Sequence, residues 1–301
     1  MKQNGKWFTQ WSIFILLSII NLFIYLNRDT FQYKVYATER QLYQSQDEWY
    51  THTETMYSDR EHSAALELTG SVVKETQSTQ EKLTALSLLL LSQFHAQRGN
   101  PTPHLLRSGP IESYYGLLES KDNKLFCSHF ANMMLLFASV HNIKGRMVEV
   151  AFQNEHHVFP EFFIREWGKW VLTDIYNDIL FARNEKGKYL NALEFRREIN
   201  SSRPVIINAF NVTSFHERIL DKNLLPIKAN HTQANLYHYY KTTNLNQVYT
   251  FKNKVIRYFG INPWYYIYLD GASSNSKHYL KLLLLGSWLF SGVRLALGRF
   301  K

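Results

Sequence analysis

The feature that most constrains this chain is a 21-residue stretch without a charge, Trp7 to Asn27 (WFTQWSIFILLSIINLFIYLN). At about 1.5 Å per residue, a helix of that length crosses a bilayer core of about 30 Å. Trp7, Trp11 and Tyr25 sit near its ends, where aromatic rings favour the membrane interface. A cleaved signal peptide would have a shorter apolar run and a small-residue cleavage site. Here NRDTFQYK comes next, with no A-x-A pattern. We therefore expect residues 1–27 to be an uncleaved transmembrane anchor. The rest of the chain must still fold as a globular body, because 45% of the 301 residues are hydrophobic, which excludes wholesale disorder.

The other end of the chain is also apolar. Leu282 to Val293 (LLLLGSWLFSGV) is uncharged but only 12 residues long. Extending it to Tyr279–Leu297 takes in Lys281 and Arg294, whose stems can snorkel. Residues 279–301 thus read as a second membrane helix, or else as an interfacial or buried one. If they span, both termini share one side. Lys2, Lys6, Arg294, Arg299 and Lys301 then place that side in the cytoplasm and the middle of the chain outside it, periplasmic in a bacterium. Around the first segment alone the count is near a tie, Lys2 and Lys6 against Arg28, Lys34 and Arg40. Net charge is +9, and residues 241–301 supply +8 of it, nine Lys/Arg against Asp270. A basic end on an anchored chain suits an anionic membrane surface. No nucleic-acid motif accompanies it, so no nucleic-acid partner is expected.

Between the ends, residues 28–80 read as a polar helical stalk or packing helices. Val35, Leu42, Trp49 and Met56 recur every seven residues, but Thr38, Ser45, His52 and Asp59 deny a coiled-coil seam. Glu81–Arg98 is a strong helix ending at Gly99-Asn100-Pro101. The stretch to Phe126, with Pro101, Pro103 and Pro110, reads as loop. FANMMLLFASVH (130–141) reads as a buried helix, closed by Asn142 and Gly145. Strands are expected at 146–152, 157–164 and 169–175, with Pro160 counting against a central position for the second. FARNEKGKYLNALEFRREI reads as a loop and a short helix. Residues 201–278 read as an extension of the domain, within which NPWYYIYLDG is either a core strand or an interfacial segment. Helix, strand, strand, strand is an α+β order with an antiparallel sheet.

One cysteine excludes an intramolecular disulfide and a multi-thiolate zinc site. Cys127 opens the central helix, where the helix dipole and free N–H groups favour the thiolate. A lone cysteine is also among the most readily buried residues. His157 opens the second expected strand and Asp174 lies near the end of the third, so antiparallel pairing brings an imidazole beside a carboxylate. Cys127, His157 and Asp174 are the trio that cysteine acyl chemistry needs: nucleophile, base, and the group that fixes the ring. The Cys127 N–H is one candidate oxyanion donor, with the second expected from 121–126 or a more distant segment. His156 falls on the opposite sheet face, His129 on the helix surface, and Asp178 past the strand end. These histidines with Asp174 lack a tight pair such as H-x-x-x-H for a metal. Trp170 reads as core packing and Arg146 as a salt-bridge partner.

These residues resemble the transglutaminase-like superfamily, which shares the papain-like cysteine-protease core. FCSHFANMMLLFASVHNIKGRMVEV is similar to the family's cysteine helix and the G-x-x-A-R-x-V type passage after it. H-V-F-P-E (157–161) resembles the H-A-W-V-E type strand, and W-V-L-T-D (170–174) the W-V-x-x-D type strand. GKYLNALEF is similar to the segment after the Asp in bacterial members. The likeness covers roughly 81–200 and departs from the family at Phe126 and Ser128, where Gly is common, and at Pro160. It implies a transglutaminase-like core with Cys127, His157 and Asp174 as the catalytic triad. The activity implied is hydrolysis or transamidation of a peptide, protein or amide substrate through a thioester. No metal or organic cofactor is implied, and no D-x-D-x-D-G loop is present for calcium. The competing expectation is a silent scaffold of the same fold within a cell-envelope or polysaccharide synthesis or export complex.

Overall fold

A computed structural model describes residues 2–27, 30–31, 33–44, 57–152, 155–220, 236–240, 250–259, 265–269 and 274–298. The chain divides into two units. One comprises residues 1–35, 247–263 and 271–301; the other comprises 36–246 and 264–270.

In the first unit, α1 (Lys2–Leu26) and a C-terminal helix (Ser276–Gly298) are each long and apolar enough to cross a membrane. They pack antiparallel. Phe14 stacks on Trp288 at 5.7 Å, the Trp288 indole donates to Ser18 Oγ at 2.8 Å, and the Asn21 amide reaches Leu284 O at 3.5 Å. Gly292 lets Phe14 approach, since a Cβ there would lie 3.2 Å from its ring. Small and hydrogen-bonding residues at the seam with exposed Ile, Leu and Phe outside is the pattern expected where lipid replaces water.

The second unit is mixed α+β. Its five-stranded antiparallel sheet has the order β3-β2-β1-β7-β8, with β1 Gly145–Phe152, β2 Glu155–Ile164, β3 Lys169–Leu172, β7 Leu236–Tyr240 and β8 Tyr265–Leu269. The sheet is buried on both sides, so its strands read as near-continuous apolar runs. Met147, Val158 and Phe162 share a core with α3 (Asp59–Thr69), α4 (Thr79–Phe94), α5 (Pro110–Glu119) and α6 (Cys127–Ser139). Val148, Val150 and Phe159 face a second core. It is built with α2 (Glu39–Gln44), α7 (Ala192–Asn200) and a three-stranded sheet of β4 (Ile179–Asn184), β5 (Val205–Asn211) and β6 (Ser214–Ile219).

Several sequence readings are corrected. Of residues 28–80, read as a stalk or packing helices, Leu42 and Ala65 are buried in the domain as packing helices would be, and Trp49 and Met56 lie outside the described residues. The loop expected up to Phe126 contains α5. Pro110 sits at its first turn, where a missing N–H costs nothing, and Tyr114 and Leu117 are buried. Pro160 lies in an inner strand. Its carbonyl accepts from Thr173 N on the β3 side, so the side without a donor is where that ladder ends. The third strand stops at Leu172, leaving Asp174 in the loop after it. The aromatic run near 265 is an edge strand with Ile267 fully buried, and β7 and β8 complete the sheet from beyond residue 200.

Candidate active site

Cys127 is the first residue of α6, and Phe126 before it makes no side-chain cap, so that helix end is not closed by a neighbouring side chain. Residues behind the cysteine are pinned. Leu125 N donates to Gln97 O at 3.0 Å and Gly99 N to Leu125 O at 3.0 Å. The Gln97 amide gathers the carbonyls of Leu117, Ser120 and Asn123. Downstream, Phe130, Met133, Met134 and Phe137 are buried, each stabilising the helix by roughly 1.5–3 kcal/mol relative to exposure. The close seating of α6 also needs Gly145, where a Cβ would lie 2.6 Å from Leu135 and 2.7 Å from Phe162.

His157 reaches the same place from β2, where β3 has already ended. It is 4% exposed. Its Nε2 lies 2.8 Å from Asp174 Oδ2, and the Cys127 thiol is within its hydrogen-bonding reach. With Nε2 on the carboxylate, Nδ1 is the nitrogen left for the thiol. Asp174 is fully buried and held by its backbone. Its N–H donates to Ile179 O at 2.8 Å, and its carbonyl accepts from Ile179 N at 2.9 Å. Burial pushes the His157 ring toward neutrality. The Asp174 charge and hydrogen bond, with Cys127 assisting, outweigh it and raise His157 to about 10.

The trio named from sequence is therefore brought together. Two neighbours were not foreseen. A 3-10 turn over Ile175–Asn177 folds the Asn177 amide back onto Asp174 Oδ2 at 2.7 Å, with His157 Nε2 3.1 Å away. The signal was Asn three residues after Asp, the spacing of one such turn. Tyr176 places its ring 6.1 Å from that of His157. Burial first, then the Cys127 charge, raises its phenol, opposed by Arg98.

The alternatives lie elsewhere. Asp178 is forked by Arg98 at 3.0 and 2.5 Å, with His95 at 3.4 Å. His156 is largely exposed, its Nδ1 3.0 Å from Glu149. His129, expected on the surface, is instead packed inward with Nε2 3.1 Å from Leu105 O, and burial lowers its pKa. Arg146 is fully buried, donates to Glu161 Oε2 at 2.8 and 2.6 Å, and lies between the rings of Trp170, Tyr43 and Tyr239. Among the described residues, no three His, Cys, Asp or Glu side chains come together as metal ligands. Comparison of the chain with protein families, curated proteins and solved structures gives no match.

Proposed function

We propose that this chain is a membrane-anchored, transglutaminase-like cysteine enzyme that transfers acyl groups through a thioester. The observation that carries the reading is His157 set between a buried carboxylate and a thiol at a helix N-terminus. At neutral pH the ring holds its proton beside Asp174, and the reading requires Cys127 to act as the thiolate partner of that imidazolium. Cys127 Sγ attacks the carbonyl of a peptide or amide. The backbone N–H of Cys127 faces the oxygen as charge develops. His157 gives its proton to the departing nitrogen as the C–N bond breaks, leaving a thioester. Water or an amine then attacks. His157 takes the incoming proton, and Cys127 leaves as thiolate. Asp174 fixes the tautomer throughout, and Asn177 holds Asp174.

In this reading, α1 and the C-terminal helix span the membrane as a hairpin. Both chain ends lie on the cytoplasmic side, and the cysteine domain faces the envelope, where peptide and protein substrates are met.

The test is the pH dependence of iodoacetamide alkylation of the full chain in detergent, alongside His157→Ala. Alkylation that stays fast down to about pH 6 and loses that advantage in His157→Ala supports the ion pair. A Cys127 that reacts only after denaturation is a structural thiol, and the scaffold reading then replaces the enzyme.

A further inference from the structure

A short helix in the membrane-helix unit carries an apolar stripe that nothing described covers. This helix, α8 (Phe251–Tyr258), and the residue after it expose Phe251, Val255 and Phe259 at 82%, 40% and 52%. Spacing of four puts the three on one helix face. A soluble surface rarely gathers large apolar side chains this way, whereas scattered ones are ordinary. The same segment, FKNKVIRYF, contains Lys252, Lys254 and Arg257 and no acid. Lys252 is exposed.

The last turn of α8 is fixed to both long helices. The C-terminal helix, α9 (Ser276–Gly298), sends Lys281 Nζ to the Tyr258 carbonyl, with the ammonium 4.4 Å from the Tyr258 ring centre. That ring lies 6.4 Å from Tyr25. Tyr25 is next to the last residue of α1, and Lys281 is in the second turn of α9. The attachment point is thus the level at which α1 ends and α9 begins, the level where aromatic and basic residues meet headgroups.

We propose that α8 is an interfacial helix. Its Phe251/Val255/Phe259 face rests at the acyl boundary of the bilayer that α1 and α9 cross, and its cations bind anionic phospholipid headgroups. This rests on reading α1 and α9 as spans. An exposed apolar stripe on a segment with three cations and no acid, tied to two apolar helices, fits a lipid surface better than a protein groove, because a membrane half offers an apolar layer and an anionic one side by side.

The test uses the full chain with Cys127→Ser and single cysteines at positions 251, 255, 259 and 290, each labelled with an environment-sensitive fluorophore. All four side chains are exposed, so labelling leaves packing intact. The protein is reconstituted into phosphatidylcholine vesicles with or without phosphatidylglycerol. Quenching is read from aqueous iodide and from spin-labelled lipids, placed near the headgroup or at the bilayer centre. The expected result is headgroup-level quenching with loss of iodide quenching at 251, 255 and 259. Position 290 is quenched at the centre. Omitting phosphatidylglycerol weakens the lipid quenching at 251, 255 and 259 alone. Iodide access at 251, 255 and 259 with 290 still deep overturns the α8 proposal and leaves the spans standing. Shielding of the three from both quenchers means protein covers the stripe, which also overturns it. Iodide access at 290 refutes the spans themselves.

Discussion

The buried His157–Asp174 pair makes a pH-dependent contribution to stability that one substitution removes. His157 is held at about 10 against an ordinary 6.5. At about 1.36 kcal/mol per pH unit, that gap corresponds to a contribution on the order of 5 kcal/mol. Removing one partner of a buried ion pair costs about 3–5 kcal/mol, so the two magnitudes agree. The sign comes from counting protons. Between 6.5 and about 10 the folded chain holds a proton at His157 that the unfolded chain has released, so stability falls as pH rises. The contribution is complete below the lower value and gone above the upper one. Asp174→Asn keeps the shape and removes the charge. Burial then pushes the ring toward its neutral form, and this pH dependence disappears. The assay is the thermal midpoint of the full chain in detergent across that range, for wild type and Asp174→Asn. Other titrating groups are common to both and cancel in the difference. The gap between the two is expected to be widest at the acid end and to close as pH approaches 10. A gap that is constant, or that widens with pH, refutes the reasoning.

Three further outcomes are expected. Gly145→Ala drives a Cβ into Leu135 and Phe162 and costs about 1–3 kcal/mol, read as a lower thermal midpoint. Asp178→Asn frees Arg98 and costs about 1–2 kcal/mol, because both partners are partly exposed, but leaves the alkylation profile of Cys127 unchanged. Loss of Cys127 reactivity in that variant would mean the wrong aspartate has been assigned to His157. Glu161→Gln strands the Arg146 charge in an apolar site and costs about 3–5 kcal/mol. Replacing both, as Arg146→Met with Glu161→Leu, is expected to recover only part of that thermal stability, because Ala192 N–H and the Leu42 carbonyl lose their bonds to the pair.

The candidate site was more legible than the frame around it. Cys127, His157 and Asp174 each begin or follow a strongly patterned element, so order along the chain was enough to bring them together. Asn177 was missed because its role depends on a single 3-10 turn, which carries no periodicity. Helix α5 was missed because Gly109-Pro110 reads equally as a breaker and as a helix start; only the burial of Tyr114 and Leu117 decides. Strand β7 was unreadable as a partner of β1, and with it β8 as the partner of β7, since Glu149 pairs with His238 across 89 residues and no local signal specifies such a pairing. The three-stranded sheet was missed for a related reason. In β6 most side chains are exposed, so the strand shows no alternation of apolar and polar residues.

Arg146 and Glu161 stand directly opposite one another in the pairing of β1 with β2. A slip of one residue would set Arg146 against Pro160 or Phe162 and send every side chain of β2 to the other face. The guanidinium would then sit uncompensated in an apolar layer, and His157 would turn away from Asp174. A buried ion pair adds little net stability over a well-packed apolar pair, so the value of this one is its intolerance of misalignment. Among the ways these two strands could zip together, it leaves the single alignment in which the imidazole meets its carboxylate. A charge pair on the same face of the two strands thereby acts as a ruler for the chemistry four residues away.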